Sequence, residues 1–178
     1  SHLPLSEYSR SVAVSGGYAY IATNDGLQIV DVSNPQSPVA PGFVALLGSR
    51  SVAVTNGYAY VSGIADGFAV VNVANPAAPA VVAQVELGYT YDITATSQAL
   101  FVVGSWGLST FDITDPAHPV QLSRIETPDS AMSIIVRGSL AYVAASTSGL
   151  RIIDVSNPVA PHELGFIDTP GDARAVVV

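Results

Sequence analysis

The chain has no cysteine and no lysine, one tryptophan and one methionine among its 178 residues. Without cysteine, neither disulfides nor thiol chemistry contribute, and the redox state of the compartment is left open. All six basic residues are arginine, against 14 acidic ones, for a net charge of −8. A deficit of cations excludes nucleic acid and anionic membrane surfaces as partners, because both require clustered positive charge. Long apolar runs are also missing. The hydrophobic stretches break every five or six residues at Gly, Pro, Asn or Asp, well short of the roughly 18 residues of a membrane span. No signal-peptide pattern is present, and the chain opens at Ser1 rather than Met, as expected of a processed or excised region.

The sequence instead contains a phrase repeated four times. Asp31-Val-Ser-Asn-Pro-Gln-Ser-Pro38 returns as Asn72-Val-Ala-Asn-Pro-Ala-Ala-Pro79, as Asp112-Ile-Thr-Asp-Pro-Ala-His-Pro119 and as Asp154-Val-Ser-Asn-Pro-Val-Ala-Pro161. The copies start 41, 40 and 42 positions apart. A period of about 40 residues marks one supersecondary unit in series.

Within one unit, Ser11–Val14, Tyr18–Ala22, Leu27–Val32 and Val39–Leu47 are β-branched or aromatic runs. They are separated by Ser15-Gly-Gly17, Asn24-Asp-Gly26 and Ser33-Asn-Pro35, all turn signals; the second is expected to form a tight turn with positive φ. The result is four short antiparallel strands and no helical periodicity. Tyr18, Tyr20 and Ala22 face one way and Ala19 and Ile21 the other, so both faces are apolar. A sheet with one wet face alternates apolar with polar; a sheet packed between two others does not. The fold class is therefore all-β, a β-propeller of four-stranded antiparallel blades of about 40 residues. The four full repeats fall at 9–47, 49–87, 90–127 and 131–168 of a single domain, 1–178. Partial strands flank them: 173–178 starts a fifth blade, and Leu3–Tyr8 ends an outer strand before the first.

Gly149-Leu-Arg-Ile-Ile-Asp-Val-Ser-Asn-Pro158, preceded by Leu140-Ala-Tyr-Val-Ala144, resembles the LVIVD repeat. The resemblance runs along essentially the whole chain and is weakest in the third copy, Gly104-Ser-Trp-Gly-Leu-Ser-Thr-Phe-Asp-Ile113. It implies a propeller from a prokaryotic secreted or surface protein, and no defined reaction.

Unmatched ends carry an energetic implication. One blade face spans on the order of 300 Å². Left wet, it forfeits roughly 7–8 kcal/mol as an upper bound, comparable with the stability of a whole domain. The expectation is self-association or membership of a larger propeller, rather than a lone four-bladed ring.

Candidate sites are few. Asp31, Asn72, Asp112 and Asp154 lie one per blade, too far apart to share an ion, and read as caps of the Asn-Pro turns. Asn24-Asp25 and Asp66 read as turn residues. His2, His118 and His162 show no metal-ligand spacing. Ser105 lacks the strand-to-helix elbow of a catalytic serine, since Val103 stands where the first glycine belongs. No convergent acid–base pair appears, so no enzyme activity, cofactor or metal is expected.

Trp106 replaces small residues at a hairpin tip, where it either meets a ligand or packs on a neighbouring loop. Tyr89 and Tyr91 lie in the link to the third blade, on the same side as that hairpin. Arg10, Arg50 and Arg174 occupy the position of Tyr91 in their own copies. Trp106, Tyr89, Tyr91, Arg10 and Arg50 thus form a candidate loop face for a protein or glycan. The competing reading ties each arginine to carbonyls or carboxylates at the blade junctions. The alternative function is a structural unit assembling into rings or fibres through its incomplete ends.

Overall fold

The computed structural model describes residues 8–63 and 67–178. Asp66, His2 and most of Leu3–Tyr8, read above from the sequence, lie outside the described residues. Among the described residues sixteen strands form four separate sheets, each an antiparallel meander in chain order. The first holds β1 (Ser9–Ser15), β2 (Tyr18–Thr23), β3 (Gly26–Asp31) and β4 (Val39–Ala45). The second holds β5 (Ser49–Thr55), β6 (Tyr58–Gly63), β7 (Gly67–Asn72) and β8 (Ala80–Val85). The third is β9 (Thr90–Ala95), β10 (Ala99–Gly104), β11 (Gly107–Asp112) and β12 (Val120–Glu126), and the fourth is β13 (Ser133–Arg137), β14 (Leu140–Ala144), β15 (Leu150–Asp154) and β16 (His162–Ile167).

Local chemistry sets these boundaries. The first hairpins of the first and second sheets turn through Gly16-Gly17, with φ of 58° and 81°, and Asn56-Gly57, with φ of 50° and 77°. Two successive positive φ values suit the right-handed twist of the flanking strands, and Gly and Asn tolerate them. The turn at Asn24-Asp25 differs from its expected form, because neither residue has positive φ. Thr23 closes it instead: its Oγ1 donates to the Gly26 carbonyl at 3.0 Å and accepts from the Gly26 N–H at 3.1 Å. Gly26 and its counterparts Gly67, Gly107 and Gly149 allow the outer strand to close in; a Cβ there would collide with the carbonyl oxygens of Val44, Val85, Ile125 and Ile167. The outer strand pair of every sheet also carries a register shift, which bends the edge.

The repeated Asn-Pro phrase forms two turn caps in series. Asp31, Asn72, Asp112 and Asp154 accept through Oδ1 from the N–H two residues on, at 2.9, 3.0, 2.8 and 2.8 Å. Asn34, Asn75, Asp115 and Asn157 repeat the bond three residues later, at 3.1 to 3.2 Å. Hydrogen bonds to Ser33, Thr114 and Ser156 hold the carboxyls of Asp31, Asp112 and Asp154 below the ordinary carboxylate range.

The core lies between sheets. Tyr20, Leu27 and Ile29 of the first meet Val52, Val61 and Val71 of the second. Tyr60, Phe68 and Val70 meet Ile93, Leu100 and Phe111 of the third, with Phe68 and Phe111 edge to face at 5.0 Å. Phe101, Val103 and Leu108 meet Ile134, Val143 and Ile153 of the fourth. Burial pushes the Tyr60 phenol up to about 12, with the neighbouring Tyr58 adding to the shift. Innermost strands β1, β5, β9 and β13 adjoin in that order.

Among the described residues no core cluster joins the fourth sheet to the first. Val12 is 60% exposed and Val14 69%, whereas Val52, the counterpart of Val12, is 6% exposed. At the other end Tyr142, Leu150 and Ile152 are half-buried, while their counterparts Tyr60, Leu27 and Val70 are buried. Ala173 covers part of that end: it exchanges backbone hydrogen bonds with Ser146 at 2.9 and 3.1 Å. This is the place of Ala131 against Gly104 one repeat earlier. Residues 174–178 continue from that bridge without strand pairing.

Truncating Val52 to Ala is expected to cost about 2 kcal/mol by urea unfolding. The equivalent change at Val12 should cost less than about 0.5 kcal/mol. Equal costs would mean that the leading face of the first sheet is covered in solution.

Candidate functional site

The starts of the innermost strands converge on one hollow of about 390 Å³ at the axis. Arg10 and Ser11 come from β1, Arg50 and Ser51 from β5, Tyr91 and Asp92 from β9, Ser133 from β13, Met132 from the link before β13, and Arg174 from the segment after β16. Backbone hydrogen bonds place loops on this same side. Asn24 N–H donates to the Tyr8 carbonyl at 3.0 Å, and Ser105 N–H to the Tyr89 carbonyl at 3.2 Å. In the first and third blades the second hairpin is thereby tied to the start of its own inner strand.

Asp92 holds the mouth together. Its Oδ1 accepts from Ser51 Oγ at 2.6 Å and from its neighbour Ile93 N–H at 2.9 Å. Oδ2 accepts from Ser133 Oγ and Ile134 N–H, both at 3.0 Å. One carboxylate therefore links the second, third and fourth blades. Thr90 adds a buried contact: its Oγ1 lies 2.6 and 2.7 Å from the Gly63 and Gly67 carbonyls and accepts from Gly63 N–H at 3.1 Å. At the next link, Asp129 accepts from Thr147 Oγ1 at 2.7 Å, Ser130 N–H at 2.6 Å and Thr147 N–H at 3.2 Å. These bonds, led by the Thr147 hydroxyl, hold its carboxyl down at about 2.

The predicted site residues divide into two groups. Arg10, Arg50 and Tyr91 line the mouth, and the Arg50 guanidinium lies 4.8 Å over the Tyr91 ring. Tyr89, 57% exposed, stands two residues before Tyr91 on the same side. Trp106 is half-buried and packs against its surroundings. Its Nε1 donates to Ser109 Oγ at 3.1 Å, Arg124 lies 5.3 Å over the ring, and the ring fills the space beside Gly88 and Gly104. Trp106 thus braces the loop that carries Tyr89. Of the histidines, His118 pairs with Asp115 at 2.9 Å and His162 is exposed. Among the described residues no group of three His, Cys, Asp or Glu is placed to hold a metal, and no helix is long and apolar enough to cross a membrane.

Sequence reasoning passed over Asp92. Its signal was available, since serine occupies that position as Ser11, Ser51 and Ser133 and only the third copy has an acid. Asp92→Ala strips four donors of their acceptor and is expected to lower stability by about 3 kcal/mol. The urea midpoint measures this, and an unchanged midpoint would show that water replaces the carboxylate at no cost.

The LVIVD-repeat pattern matches residues 7–45, 48–86 and 128–169, the first, second and fourth blades. No curated protein sequence matches the chain. Among solved structures, a chain of a nidogen–laminin complex matches 90% of this chain with a TM-score of 0.68 and 14% identity. The computationally designed Ika4 protein matches 85% with a TM-score of 0.69 and 6% identity. Apo AztD from Citrobacter koseri matches 96% with a TM-score of 0.67 and 15% identity. The chain spans 64% of the nidogen–laminin match, 94% of Ika4 and 50% of AztD. At these identities the likeness is one of fold. With four meander sheets ranged about an axis and the repeat matched over more than half its length, the chain belongs to the LVIVD-repeat family and folds as a β-propeller.

Proposed function

We propose that this propeller is a non-catalytic binding or scaffold module, acting outside the cell or at its surface, which presents the mouth face to a protein or glycan. The observation that carries this reading is the arrangement of Arg10, Arg50 and Tyr91 around one hollow, with the exposed ring of Tyr89 on the same side. Exposed aromatic and arginine side chains on a rigid frame are the usual anchors of recognition. The frame is rigid because Asp92 and Thr90 tie neighbouring blades at the mouth. The similarity to a chain from a nidogen–laminin complex supports a protein-binding use of such a frame. The extracellular setting rests on the family.

Capture of glycans and candidate surface proteins on an array tests this reading. Tyr89→Ala should reduce capture at least tenfold with an unchanged unfolding midpoint; capture that ignores both Tyr89→Ala and Arg50→Ala would reject the face. Trp106→Ala is a poor probe, because its ring supports the loop.

A second reading is favoured by the uncovered valines. Val12 and Val14 leave the first sheet's leading face open, and the fourth sheet's trailing face is only partly covered. In this reading those faces join copies head to tail into a ring or fibre. Analytical ultracentrifugation decides it: the wild-type chain should sediment with a mass above 18.3 kDa and Val12→Asp should return it to monomer, whereas a wild-type monomer at all concentrations would exclude assembly.

A further inference from the structure

The mouth gathers positive charge on an acidic protein. Three of the six arginines, Arg10, Arg50 and Arg174, line one hollow in a chain of net charge −8. Among the described residues, neither Arg10 nor Arg50 has a carboxylate within ion-pair distance. Arg174 pairs with Asp172 at 3.2 Å in an exposed contact, of a kind that contributes little. Among the described residues the one acid lining the hollow, Asp92, commits both oxygens to four donors, Ser51, Ile93, Ser133 and Ile134. Its carboxylate serves the blade junction and accepts from no arginine.

Arg50 is also held in place. Its guanidinium carbon lies 4.8 Å from the centre of the Tyr91 ring, a cation–π contact that holds the group at the mouth. A planar fork of N–H donors matches the paired oxygens of a carboxylate, phosphate or sulfate. Side chains that merely solvated the surface would have no reason to converge at the axis, where like charges repel.

We propose that the mouth binds an oxyanion group carried by the ligand, a carboxylate, phosphate or sulfate ester, between Arg50, Arg10 and Arg174. This rests on the reading of the mouth face as a binding surface and names the chemistry it takes.

Inorganic phosphate, inorganic sulfate and glucuronate, titrated separately into the full chain at low salt, test the proposal by calorimetry and by NMR of the arginine Nε–H signals. At least one should bind saturably, and which one binds identifies the ester or carboxylate source. Arg50→Ala and Arg10→Ala should each weaken that binding about tenfold. Arg50→Lys, which keeps the charge and loses the fork, should fall between. Added salt should weaken binding. Arg137→Ala, at the opposite end of β13, should leave it unchanged. Failure of all three anions, or losses as large in Arg137→Ala as in Arg50→Ala, would overturn the proposal. Failure of the anions with Tyr89-dependent array capture intact would overturn the oxyanion site alone and leave the binding face standing.

Discussion

Tyr60 and Phe68 of one sheet close on Ile93, Leu100 and Phe111 of the next, and the same kind of contact recurs at the two other seams. A four-stranded meander with apolar side chains on both faces has no stable existence alone, because either face left in water forfeits much of its burial energy. Each blade is thus a partner before it is a unit. The short turns, the bent outer strands and the glycines that admit them all serve to present flat apolar faces at the right spacing. Val12 and Val14 show what happens without a partner: the same residue type at the same position in the repeat meets solvent.

At the axis the logic changes from apolar to polar. Inner strands crowd together there, and their first residues have backbone and hydroxyl donors that need acceptors. Asp92 supplies them across three blades, and Thr90 does so across the second seam. The arginines that project into the same hollow are left to other work. A frame fixed by one set of polar bonds can therefore display a second set without distorting it.

Much of the architecture was legible because the period is long and its punctuation is chemical. An Asp or Asn two residues before an N–H, followed by Asn-Pro, forms the same pair of caps four times, and a pattern of that kind survives without knowledge of tertiary contacts. The blade count, strand order and two-faced burial followed from it. The tight hairpin at Asn24-Asp25 forms as expected, but without positive φ, because the closing group is a side chain, Thr23, lying outside the turn tripeptide. Asp92 stands out in the repeats as an acid among the serines Ser11, Ser51 and Ser133, but its reach across three blades depends on where strands from separate repeats meet, which the repeat pattern does not encode. For Trp106 the sequence admits two roles, because its orientation depends on the space beside Gly88 and Gly104, a tertiary fact.

The third blade departs furthest from the family pattern and also holds Asp92, which reaches hydroxyls on both sides. Its flanking copies supply serine at that level and cannot exchange places with it. A tandem array that looks modular therefore has a fixed internal order: swapping or deleting repeats around the third one breaks the joint that Asp92 makes across three blades, even where every apolar seam is preserved. Divergence in such an array marks the copy that has become indispensable to its neighbours.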